Sequence, residues 1–196
     1  MTQKNISFRR VCTSAFSAKL FLVSAFPLHV WTLLMAFRDF AWVAARTYTW
    51  DAIGLVSYAL VAALLETMAV FLLVWLAGFL VPFRWDMNKR LAMLGTQFLV
   101  VASWSILSKI YTALDSPLPI WLSNFMIADG HPLRILWAIA GTLVTASAVA
   151  PAFLIMKRES AARSVNGVFD RIVVLSSFYL ILDLIGILII VIRNIH

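Results

Sequence analysis

The sequence predicts an all-α fold: a polytopic bundle of five transmembrane helices in a single domain, with short interfacial segments on the outer side. Three observations lead there. Of 196 residues, 63% are hydrophobic, against roughly 45–50% in soluble domains. Only 13% are charged, about half the usual quarter, and mean hydropathy is +0.94. The apolar residues gather into five runs, each near the roughly 20 residues that cross a hydrocarbon core about 30 Å thick. So few polar residues cannot cover a soluble surface, and such an apolar chain does not stay disordered. Cys12 is the sole cysteine, which excludes a disulfide scaffold.

The first span is expected from about Phe16 to Phe37, interrupted by Lys19, Pro27 and His29. A basic stretch (Lys4, Arg9, Arg10) precedes it, and Val23-Ser24-Ala25 resembles a cleavage site, as in a signal peptide. The apolar run continues to Phe37, however, which fits an uncleaved span better. The second span, about Ala52 to Val81, is the longest and contains Glu66. At 1.5 Å per residue it must tilt or project from the core. The third runs from about Leu91 to Tyr111, the fourth from Leu133 to Met156, and the fifth from Ile172 to Ile192 with Asp183 inside. Pro27 and Pro151 are read as kinks, because neighbouring helices can re-satisfy a freed carbonyl. The crowded small residues of the fourth span, Ala138 to Ala152, predict a central position for it, since small side chains let backbones approach.

Orientation follows from the cations beside each span. One side holds Lys4, Arg9, Arg10, Lys19, Arg84, Lys89, Arg90, Lys157, Arg158, Arg163 and Arg171; the other holds Arg38, Arg46, Lys109, Arg134 and Arg193. Eleven against five places the N-terminus in the cytoplasm and the C-terminus outside, in a cell membrane. The net charge of +7 is thus an orientation signal rather than a nucleic-acid footprint. Arg84, Lys89, Arg90, Lys157, Arg158 and Arg163 are expected to meet anionic headgroups at about 1 kcal/mol per cation.

Two outer connections carry structure of their own. Arg38 to Thr49 spaces Arg38, Trp42 and Arg46 by four, an interfacial helix with Arg–aromatic stacking on one face. In the longest loop, Pro119 to Ala128 is apolar but too short to span, and is expected to form a rigid cap over the bundle. The loop also holds Asp115, Asp129 and His131. These could supply acid–base chemistry on a lipid at the membrane surface, although turn and loop-capping roles explain the same residues.

Glu66 and Asp183 are the residues that break the pattern. Both lie near the midpoint of their spans. An ionised carboxylate there costs about 2.5–3.5 kcal/mol on insertion scales, and protonating Glu at neutral pH costs about 3.7 kcal/mol. The two escapes are nearly equal, so partners decide. No Lys or Arg is expected at that depth, which leaves each other and neutral groups: Tyr179 and Ser176 on the face of Asp183, and His29, the one imidazole within a span. Hydrogen bonding that fixes helix packing is one expectation. A second is a titrating group of Glu66, Asp183 and His29 in a proton-coupled carrier, and a third is binding of a ligand or of a basic residue on a partner's transmembrane helix.

No metal-ligand spacing, phosphate loop, nucleophile elbow or haem motif occurs in the sequence, so no cofactor is expected. Two functional classes follow: a non-catalytic accessory subunit with a membrane-protein partner, or a small proton-coupled transporter.

Overall fold

The computed structural model describes residues 14–82, 84–113, 117–128 and 130–195. Among them it is an all-α bundle of six helices. These are α1 (Ser14–Arg46), α2 (Thr49–Ala77), α3 (Met87–Ala113), α4 (Ile120–Ala128), α5 (Pro132–Lys157) and α6 (Glu159–Ile195). All but α4 are long and apolar enough to cross a membrane. The five apolar runs became five helices because lipid offers backbone groups no partners outside the helix.

Helices α1, α3 and α6 run one way and α2 and α5 the other. Paired side chains fix the register. Lys19 of α1 forms an ion pair with Asp170 of α6 at one end. At the opposite end Arg193 of α6 bonds Asp51 and the Trp50 carbonyl of α2. Gly54 keeps that path open, since a Cβ there would overlap the Arg193 guanidinium. The topology gathers Lys19, Arg84, Lys89, Lys157, Arg158 and Arg163 toward the first end.

Packing centres on α1, which contacts α2, α3 and α6. Its most apolar stretch is 39% buried, against 6% for α5. The fourth span is therefore peripheral, not central. Small residues permit close approach without compelling it, and Ala138, Gly141, Thr142, Thr145 and Ala146 are exposed. Side-chain bonds hold α5 to α3, among them Gln97 Nε2 donating to the Ala148 carbonyl at 3.0 Å and Trp104 Nε1 to Ser147 Oγ at 2.9 Å. Phe16, Leu20 and Val23 of α1 meet Leu91 and Leu94 of α3 and Phe169 of α6 in the main apolar core.

The two connections that carry structure of their own take these forms. Arg38 to Arg46 is not a separate interfacial helix; it continues α1, because no helix breaker interrupts it. The predicted stacking is present, with the Arg46 guanidinium 4.0 Å over the Trp42 ring. The expected cap is a short helix, α4, packed chiefly against α5 with Met126 buried.

Candidate functional site

Pro27 removes the N–H that would pair the Val23 carbonyl, and His29 follows two residues later on the face of α1 turned toward α6. Its ring is fully buried. Nδ1 lies 2.8 Å from the Ala25 carbonyl oxygen. A carbonyl only accepts, so Nδ1 carries a proton and donates it. Nε2 lies 3.1 Å and 3.0 Å from the two carboxylate oxygens of Asp183, a side chain 2% exposed. One further proton must lie between ring and carboxylate. The proton count is the same for imidazolium with carboxylate and for imidazole with carboxylic acid.

Tyr179, one turn before Asp183, does not bond the carboxylate. Its ring stacks on His29 with centroids 5.5 Å apart and planes within 4°. The Phe26 ring lies 6.5 Å from that of Tyr179, so one face of the imidazole meets aromatic surface.

Two turns from Asp183 toward the Lys19 end, Ser176 is fully buried and its Oγ has no hydrogen-bond partner. The register given by Lys19–Asp170 and His29–Asp183 sets Ser24 at that level, and the approach of Gly186 to the Ser57 carbonyl sets Thr67 there as well. Ser24 and Thr67 are also fully buried, but each donates to its own helix carbonyl four residues back. The α1–α2–α6 interface therefore holds a hydroxyl tier between the histidine–aspartate pair and the Lys19–Asp170 ion pair.

Glu66 is not part of this group. It is exposed on another face of α2 and lines a cleft with Trp31 and Lys109. Lys109 lines the same cleft, but no ion pair joins it to Glu66 among the described residues.

In the outer loop, Asp115 and Asp129 lie outside the described residues. His131 is exposed and precedes the first turn of α5, without a side-chain capping bond. Among the predicted headgroup cations, Arg90 is corrected. It is 2% exposed and donates to the Gly78 carbonyl at 2.7 Å. There it satisfies an orphan carbonyl and complements the negative end of the α2 dipole. Lys89 is partly engaged, donating to the Met156 carbonyl at 2.8 Å, and Lys157 stands 4.3 Å over the Phe153 ring. Arg84, Arg158 and Arg163 are exposed. Among the described residues no cluster of three or more His, Cys, Asp or Glu could hold a metal ion.

No protein-family model, curated protein or solved structure matches the chain.

Proposed function

We propose that this multi-pass membrane protein is a small proton-coupled carrier whose proton site is His29 with Asp183. The observation that carries the reading is the pair itself: 3.0 Å apart and sealed from the surface, midway along apolar helices. Together the two groups are neutral and share one proton. Removing it leaves a lone buried carboxylate, and adding one leaves a lone buried imidazolium. Either charge costs several kcal/mol without a partner. Proton exchange therefore requires the helices to part, which ties protonation to conformation as a driven carrier needs. Packing alone does not call for the pair, since apolar side chains of similar volume often hold a core as well or better.

Infrared difference spectroscopy between acidic and alkaline buffer tests this. A carboxyl band that titrates in the wild type is expected to vanish in Asp183→Asn and shift in His29→Gln. In liposomes both variants are expected to lose pH-gradient-driven flux. A wild type whose carboxyl bands do not titrate, and whose proton flux matches both variants, would sink the proposal.

The orientation read from the cations belongs to the same proposal, with the Lys19 end cytoplasmic in a cell membrane. Arg84, Arg158 and Arg163 then face anionic headgroups.

A second reading, an accessory subunit, is favoured by α5, whose small-residue face is exposed and suits close helix docking. A stoichiometric partner retained in mild detergent and lost on Gly141→Leu would support it; a lone protein would not.

A further inference from the structure

A second site lies on the other side of α1. Helices α2 and α3 both pack on α1 but scarcely on each other, and the gap forms a cleft of about 340 Å³. Pro27, Trp31, Glu66, Phe98 and Lys109 line it. A neighbouring hollow of about 290 Å³ continues from Trp31, Glu66 and Lys109 toward Asp39. Asp39 is already paired with Arg38 at 2.8 Å. Glu66 and Lys109 are different: both are exposed, and neither makes a hydrogen bond or ion pair among the described residues. A carboxylate and an ammonium thus face one space without closing on each other. The remaining lining is largely apolar and aromatic. Leu73, also on the cleft wall, is 65% exposed on a helix built to lie in lipid, so the opening is toward hydrocarbon.

The occupant must satisfy both charges at once and gain from an apolar wall. A simple cation leaves Lys109 unpaired, and a fatty-acid anion leaves Glu66 unpaired. A water-soluble zwitterion gains little from Trp31, Phe98 and Leu73. A quaternary ammonium has no N–H to give a carboxylate and favours a cage of several aromatic rings, whereas a primary ammonium offers three donors. We infer that the cleft binds an aminophospholipid, its ammonium on Glu66, its phosphate on Lys109 and its chains leaving past Leu73 into the bilayer. The inference goes beyond the proton-carrier reading and does not depend on it, because binding is measured without flux.

The test is retention of lipid by the purified full chain, counted by native mass spectrometry. The probes are short-chain phosphatidylethanolamine, phosphatidylcholine and phosphatidylglycerol, with aqueous O-phosphoethanolamine as the free zwitterion. Phosphatidylethanolamine is expected to bind one per chain and at least tenfold tighter than the other two lipids. Glu66→Gln and Lys109→Gln should each weaken it tenfold or more. Glu66→Asp should keep most of the binding. Equal retention by the wild type and the Glu66→Gln/Lys109→Gln double variant overturns the inference. So does O-phosphoethanolamine binding as tightly as the lipid, which would assign the cleft to a soluble zwitterion. Both substituted positions are exposed, and an unchanged helical circular dichroism spectrum excludes misfolding as the cause of a loss.

Discussion

His29 and Asp183 each make the other's burial affordable. Separately, either would leave a polar or charged group stranded among apolar helices; together they form a neutral unit with the ring fixed by Ala25 and faced by Tyr179. Asp183→Leu is therefore expected to destabilise the bundle by about 3–5 kcal/mol, the cost of breaking a buried pair by removing one partner. The His29→Leu/Asp183→Leu double variant should recover most of that loss, because no unpaired group remains. Thermal unfolding in one detergent checks both, and equal losses in the single and double variants would contradict the pairing. The sequence marked Asp183, Glu66 and His29 by the same rule, a polar side chain inside an apolar run. Position within the span fixed their depth only to within about two turns. It could not give azimuth. Glu66 lies beside Thr67, about two turns from the level of Asp183, and on an exposed face of α2; the helix rotation that turns it away is set by packing with α1 and α6. The 154-residue separation of His29 and Asp183 likewise leaves no local trace of their pairing.

At the level of the helices, length and apolarity were legible and neighbours were not. Each of the five apolar runs lies in a helix long enough to cross a membrane, since hydrocarbon permits few alternatives, although α1 and α6 extend well beyond theirs. Which helix sits in the middle depends on shape. Helix α1 gained that place by meeting α2, α3 and α6 together, while α5, richer in small residues, lies at the edge. Where a small residue does matter, a large one fills the space beside it. The Phe169 ring of α6 lies over Gly95 of α3, and a Cβ there would overlap the ring. Phe169 is 2% exposed, so its ring would have to shift against its neighbours. Gly95→Ala is expected to cost about 1–3 kcal/mol by overpacking, whereas Gly141→Ala, with open space around it, should be neutral or slightly stabilising. Unfolding midpoints of the two variants distinguish the sites, and equal effects would show that α3 and α6 do not meet there.

The molecule as a whole is closed at both ends by charge. Lys19–Asp170 ties α1 to α6 at one end and Asp51–Arg193 ties α2 to α6 at the other. Asp51 stands in the first turn of α2, ahead of the apolar span. Its hydrogen bond from Arg193, with the guanidinium charge, holds its carboxyl below the usual carboxylate range. A depressed carboxyl stabilises the fold above its unfolded-state pKa, and that contribution is lost as pH falls through the lowered folded-state value. The Asp51–Arg193 clasp is thus intact at neutral pH and opens in acid. Asp51→Asn should lower stability at neutral pH and flatten its acid dependence, read as melting temperature against pH; an unchanged acid limb would refute the clasp. Between these ties runs α1, whose two faces serve different chambers. His29 and Trp31 are two residues apart, about 200° around the helix axis, so one looks toward Asp183 and the other into the Glu66 cleft. A rod that forms the wall of both rooms cannot turn for one alone: rolling α1 to free the imidazole also moves the indole, and the two compartments keep a single clock.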